Sequence, residues 1–305
     1  MSQPRWHKLG CIYTPADKPR HPKLLTHVAN PLAVHLAGDV YRVFYSGRDA
    51  HKRSSVGAVD IDIVTRHIVA DHETPFCQHG EAGSYDADGM SIGNVYESGG
   101  QRYMLYMAWQ TGRSGMWRGE VGRLLVHPDA TLSRESAEPF MRRDAYDPVS
   151  MSYPWVHQVR ADFYQMWYGS TYTWNAGNGE MIHVINYASS SDGHVWHRGG
   201  LAVPYAVNVA QAFSRPTVCV DAHGYHMWFS YRSGTGERYR IGYAHSDDGV
   251  TWRLDLARSG IDVSVTGWDA DMIEYPYVFN HNGVRYMLYN GNGYGANGFG
   301  LAYWE

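Results

Sequence analysis

Cysteine is scarce: the 305 residues hold only Cys11, Cys77 and Cys219. Three thiols without C-x-x-C spacing cannot build a disulfide framework or a zinc knuckle, and they fit reduced thiols in a cytoplasm. Long apolar runs are missing too. No stretch of 18 apolar residues occurs, so no membrane-spanning helix is expected. The opening MSQPRWHKLG lacks the apolar centre of a secretory signal, and a cytoplasmic location is expected. Lys and Arg form no clusters and the net charge is -4, which leaves no electrostatic footprint for nucleic acid. The 17 His are scattered, with no H-x-x-x-H and no Cys/His group, so no metal site and no cofactor is expected. His27 and His157 are the two that could meet at a common centre.

Aromatics and glycine are plentiful instead, with 24 Tyr, 11 Trp and 33 Gly. Aromatic strands separated by glycine turns suit an all-β repeat protein, and aromatic faces are also what sugar rings stack on. The repeat is visible in the residues. Tyr41, Tyr103, Tyr164, Tyr225 and Tyr286 open the strands YRVFYS, YMLYMA, YQMWYG, YHMWFS and YMLYNG at intervals of 62, 61, 61 and 61 residues. Three positions on stand Phe44, Tyr106, Trp167, Trp228 and Tyr289. About ten residues before each Tyr, an earlier apolar segment opens at Pro31, Gly93, Pro154, Pro216 or Pro276. A third strand follows, as VGAV, VGRL, INYA, IGYA and FGLA. Twice it leads into A-x-S-x-D-G-x-x-W, at Ala188 to Trp196 and Ala244 to Trp252, where Asp-Gly signals a hairpin into a fourth strand.

Each unit thus reads as a four-stranded antiparallel sheet. Five such sheets must stack to bury their faces, and radial stacking predicts a single five-bladed β-propeller over residues 1–305. The fifth unit stops at GLAYWE after its third strand, while RWHKLG near the N-terminus resembles the fourth-strand segment VWHRGG. The N-terminal strand is therefore expected to complete the last blade and remove an exposed edge.

In a propeller the first strand of each blade lines the central channel, so candidates lie near the Pro/Gly register. Seven residues before it stand Tyr85-Asp86, Tyr146-Asp147 and Trp268-Asp269. Turn capping by Asp is one reading of these pairs, and Asp147 is read as structural. Two before the register the copies read Ala29, Ser91, Ser152, Ser214 and Glu274; one before, they read Asn30, Ile92, Tyr153, Arg215 and Tyr275. Glu274 and Arg215 are single charges there, either an ion pair between blades or a substrate-handling pair. The loops after the second strands add Arg48, Asp49, Trp109, Tyr231, Arg232, Asn290 and Asn292, a polar and aromatic rim suited to carbohydrate. NGNGYG runs between two strands and not into a helix, so it carries no nucleotide role.

Several segments carry a family resemblance: SGRD in the first unit, YRIGYAHSDDGVTW in the fourth and GWDADMIEYPYVFNHNGVRYMLYNGNGYGANGFGLA in the fifth. With them the chain resembles a bacterial group often found with polysaccharide genes, related to the five-bladed glycosidases of families 32, 43, 68 and 130. That resemblance implies three acidic residues on inner strands. Here the first unit has Asn30-Pro31 and the third Ser152-Tyr153 where the acids would stand, while the second keeps Asp86 and Asp88. The expected function is a carbohydrate-active enzyme working on a glycosidic bond. Glu274 would be the acid and Asp86, Asp88 or Asp49 the base or nucleophile. Arg48, Arg215 and Arg232 would orient an anionic or hydroxyl-rich substrate, with Tyr153, Trp109, Tyr231, Asp269, Asn290 and Asn292 as further contacts. A non-catalytic glycan-binding propeller and a sugar isomerase, lyase or transferase are the alternatives.

Overall fold

A computed structural model describes residues 5–15, 20–112 and 115–305. It is nearly all-β: the described residues hold twenty strands and one short 3-10 turn, Leu256–Arg258. No helix among them is long and apolar enough to cross a membrane.

The strands pair in antiparallel groups that follow the sequence repeat. β2 (Thr26–Ala37), β3 (Val40–Arg48), β4 (Ser54–Asp62) and β5 (Ile68–Asp71) pair in order. So do β6 (Gly89–Ser98), β7 (Gln101–Thr111), β8 (Trp117–Val126) and β9 (Leu132–Arg134). The third group is β10 (Ser150–Arg160), β11 (Phe163–Thr173), β12 (Ile182–Ser190) and β13 (His197–Leu201). The fourth is β14 (Ala212–Asp221), β15 (Gly224–Arg232), β16 (Arg240–Ser246) and β17 (Arg253–Leu254). In the last, β18 (Glu274–His281), β19 (Val284–Asn290) and β20 (Phe299–Trp304) are joined by β1 (Trp6–Tyr13), with Trp6 opposite Trp304. Single parallel pairs, Ser54 with Gly89 and His183 with Ala212, tie the first group to the second and the third to the fourth.

Each feature of the repeat has a packing reason. Phe44, Tyr106, Trp167, Trp228 and Tyr289 are buried between the sheets, each aromatic side chain contributing about 2–3 kcal/mol by leaving water. The third strands β4 and β16 carry glycine that admits rings from neighbouring strands. A Cβ on Gly57 would sit 2.6 Å from the Tyr45 ring, and one on Gly242 2.8 Å from that of Phe229. At the Asp-Gly turns, Gly193 and Gly249 take φ of 72° and 74°, a region that favours glycine. The Asp192 and Asp248 carboxylates there accept two backbone N–H groups each.

The first strands of the groups touch in sequence: β2 packs on β6, β6 on β10, β10 on β14, β14 on β18, and β18 on β2. Every one breaks register at the same place, after Ala29, Ile92, Ser152, Ser214 or Glu274. Four of the residues at this break, Asn30, Tyr153, Arg215 and Tyr275, have left-handed φ of 56°, 35°, 46° and 53°. Each costs on the order of 1–3 kcal/mol, and such strain is held only where the surroundings enforce it. Here the enforcement is visible: the Asn30, Ile92 and Tyr275 N–H groups donate to Asn290 Oδ1, Ser46 Oγ and Ser230 Oγ on neighbouring groups. A regular strand would turn alternate side chains away from the centre. The bulge lets consecutive ones, such as Ser152 and Tyr153, face the same cavity.

Candidate functional site

That cavity has a volume of about 380 Å³ and draws residues from all five groups. Arg48 comes from the end of β3, Trp109 and Trp117 from β7 and β8, and Ser152, Tyr153 and His183 from β10 and β12. Arg232 ends β15, Tyr239 precedes β16, and Tyr275 and Tyr294 belong to the last group. Two guanidiniums and several aromatic rings line the wall; among the described residues, no Asp or Glu does.

Glu274 stands directly before Tyr275, fully buried. Neither carboxyl oxygen has a hydrogen-bond partner of good geometry among the described residues. Burial raises its pKa well above the usual carboxylate range. Arg48 and Arg232, a close Tyr275 hydroxyl and Arg215 pull the other way without cancelling it. Burial thus favours the neutral form of Glu274 over the ionised one.

Ser152 and His183 share a 2.6 Å hydrogen bond through Nε2, and His183 Nδ1 shares one of 2.7 Å with Thr171 Oγ1. Burial, with the Arg232 charge adding to it, pushes the imidazole down to about 3, so it is neutral. Gly169 runs so close that a Cβ would collide with both Ser152 Oγ and His183 Nε2.

The other carboxylates named from the sequence are engaged away from this cavity. Asp86 pairs with Arg134 at 2.5 Å and accepts from Tyr106 OH and Ser84 Oγ. Asp147 pairs with Arg198 and accepts from Tyr168 OH and Asn186. Asp269 pairs with Lys8 at 2.7 Å and accepts from Tyr289 OH. The three aromatic-Asp pairs thus form one repeated clamp: a cation from the fourth strand and a tyrosine from the second hold each carboxylate. Asp86 and Asp269, expected at the channel, are tied into these clamps because a buried charge needs such partners. Asp49 likewise caps its own loop, accepting from the His51 and Arg53 N–H groups and pairing with Arg53 at 2.8 Å. Burial would raise its pKa, but those contacts outweigh burial and lower it. Asp88 accepts from the Thr111 N–H.

Of the expected binding residues, Arg48, Trp109, Tyr153 and Arg232 line the cavity. Arg215 does not pair with Glu274. It is buried and donates to the carbonyls of Tyr275, Asn30 and Pro31 at 2.7, 3.1 and 2.7 Å, bridging first strands. Burial lowers its pKa to about 10. Asn290 is buried among the Val28 and Gly298 carbonyls and the Asn30 N–H, and Asn292 caps the 271–272 turn. Tyr231 faces a separate groove with Trp228, Trp304 and Arg285. His27 lies beside Arg48, whereas His157 faces the Tyr225 ring. Sequence reading passes over Trp117, His183 and Tyr239. Their signal is positional: third strands begin where second strands end, as Thr171 opposite His183 shows, so both ends share one rim.

This nearly all-β fold is shared with solved structures of glycoside hydrolases. The protein BT0996, solved in an RGII complex, superposes with a TM-score of 0.71 at 14% identity, over 99% of this chain and 91% of its own. A glycosyl hydrolase from Bacteroides ovatus gives 0.72 at 11%, over 99% and 94%. A structure from work on GH130 mannoside phosphorylases and glycoside hydrolases that target β-1,2-mannosidic linkages in Candida mannan gives 0.71 at 12%, over 99% and 94%. At these identities the likeness is one of fold. No family model matches the chain. The uncharacterised Mycobacterium tuberculosis proteins Rv1502 (strain H37Rv) and MT1551 (strain CDC 1551) are each 40% identical over 302 residues, 98% of this chain and 99% of theirs. The chain belongs to their family.

Proposed function

We propose that this protein is a carbohydrate-active enzyme that works on a glycosidic bond in the central cavity of a single, cytoplasmic five-bladed β-propeller completed by its N-terminal strand. The observation that carries the reading is Glu274: a buried carboxyl whose pKa burial raises, without a hydrogen-bond partner of good geometry among the described residues and acted on by the Arg48 and Arg232 guanidiniums. A carboxyl held neutral by its surroundings is a proton donor for a leaving glycosidic oxygen. Trp109, Tyr153 and the neighbouring rings would stack the sugar, with Arg48 and Arg232 holding its substituents.

Glycosidases usually pair such an acid with a second carboxylate. Among the described residues, no carboxylate lines this cavity, Glu274 standing directly before the lining residue Tyr275. The neutral His183 imidazole, fixed by Ser152 and Thr171, is a hydrogen-bonding group on the wall and too weak a base to take a proton. In this scheme the leaving oxygen takes the proton of Glu274 while the attacking water gives its proton to solvent, which restores that of Glu274. The same lack of a second acid favours one other reading, a glycan-binding protein without turnover.

An aryl-glycoside panel, run with and without inorganic phosphate, tests the choice. Glu274→Gln is expected to lower kcat/KM on any cleaved substrate by roughly 10²- to 10⁴-fold, the usual size of general-acid catalysis. Equal turnover by wild type and variant removes the proposal. Glycan binding measured by calorimetry with no cleavage of any substrate supports the binding reading in its place.

A further inference from the structure

The charges around the cavity narrow what it accepts. Arg232 already has its counter-charge, bonded to Glu180 Oε1 at 2.7 Å and lying over the Tyr239 ring at 4.7 Å. Arg48 is different. Its side chain makes no ion pair among the described residues; its contact is a long 3.4 Å approach to His27 Nε2. His27 cannot neutralise it: burial, then the charges of Arg48 and Lys52, push that imidazole down to about 4. Glu274, the carboxyl on which Arg48 acts, makes no ion pair with it, and burial raises its pKa. A half-buried guanidinium at a cavity wall, with no anion to compensate it, is a site prepared for one.

The surroundings say what carries the anion. Trp109, Trp117, Tyr239 and Tyr294 share the cavity with Arg48, and Trp117 is braced edge-on by Trp174 at 4.9 Å. A bare inorganic ion would leave these rings uncovered. We propose that the occupant is a sugar bearing its own anionic substituent, a carboxylate, phosphate or sulfate on the ring, with that oxyanion against Arg48 and the ring on the aromatic wall. The inference rests on the carbohydrate reading above and names its substrate class.

The same seating acts on the acid. The charged and titratable groups facing Glu274 are Arg48, Arg232 and Arg215, with Tyr153, Tyr239 and Tyr275. Arg48 is the strongest of those favouring the ionised form. An anion bound to Arg48 cancels that influence, so an anionic substrate keeps its own proton donor protonated.

Full-length protein on an array of neutral, uronate-bearing, phosphorylated and sulfated glycans is the first test, followed by calorimetry on the best ligand, its uncharged counterpart and inorganic phosphate. The anionic glycan is expected to bind about tenfold or more tighter than its neutral counterpart, the size of one charge-assisted hydrogen bond. That preference should be lost in Arg48→Gln, be kept in part by Arg48→Lys, and weaken with added salt. Preference for neutral glycans, or an unchanged preference in folded Arg48→Gln, overturns the inference while the glycosidic reading stands. Inorganic phosphate binding as tightly as the sugar anion overturns the ring-borne assignment. Binding to no glycan at all defeats both.

Discussion

Asp147 and Glu274 are both fully buried carboxylates, and their settings are opposite. Asp147 is met by the Arg198 guanidinium, the Tyr168 hydroxyl and the Asn186 amide. Glu274 has no such set. The first arrangement recurs at Asp86 and Asp269 and holds the second and fourth strands of a sheet together. The second stands where the repeat is broken. A carboxyl whose partners are complete is structural; one left without them, directly before the cavity residue Tyr275, has been left available.

The sharpest way to break this comparison is to unmake a clamp. Asp147→Ala leaves the Arg198 side chain, 8% exposed, with only the half-exposed Asp144 carboxylate at 3.1 Å as its anion. A loss of about 3–5 kcal/mol is expected in urea unfolding, as when one partner of a buried ion pair is removed. Stability equal to wild type would show that the clamp is not what holds Asp147. Next in size is Gly169→Ala, which drives a methyl group toward Ser152 Oγ and His183 Nε2. Overpacking of this kind costs about 1–3 kcal/mol, and here it should also impair the cavity while the clamps stay intact. Unchanged ligand affinity and melting temperature would place Ser152 and His183 outside the site.

The smallest effect has the opposite sign. Because the folded pKa of Glu274 lies above its unfolded value of about 4.3, the native state binds more protons between the two. Its contribution to stability is full below that unfolded value and is lost as pH rises through the folded one. Glu274→Gln should abolish this decline, so the variant melts higher than wild type on the alkaline side and no higher in acid. Parallel melting curves across pH would mean that Glu274 is ionised and solvated, and the contrast with Asp147 would fail.

The strand pattern is legible in the sequence because it is local. Tyr41, Tyr103, Tyr164, Tyr225 and Tyr286 fall in the first three positions of β3, β7, β11, β15 and β19. The Pro/Gly register marks the bulges, and Glu274 and Arg215 stand out there as single charges. What stays hidden depends on partners distant in the chain. Asp86 meets a cation 48 residues away and Asp269 one 261 residues away, so neither clamp can be read from the aromatic-Asp pair itself. Arg215 looks like a free charge because its acceptors are backbone carbonyls of other first strands, which no side-chain pattern records. His183 escapes notice because its role depends on Gly169 leaving room across the hairpin.

The pairing of β1 with β20 has a consequence for how the protein comes into being. The segment Trp6–Tyr13 is made long before its hydrogen-bonding partner Phe299–Trp304. Until then it lacks the strand it pairs with, and closure spans nearly all of the described residues, a contact order that slows folding. Removing β1 or β20 therefore strips the same sheet, and those two deletions should resemble each other more than either resembles the loss of a strand in the middle.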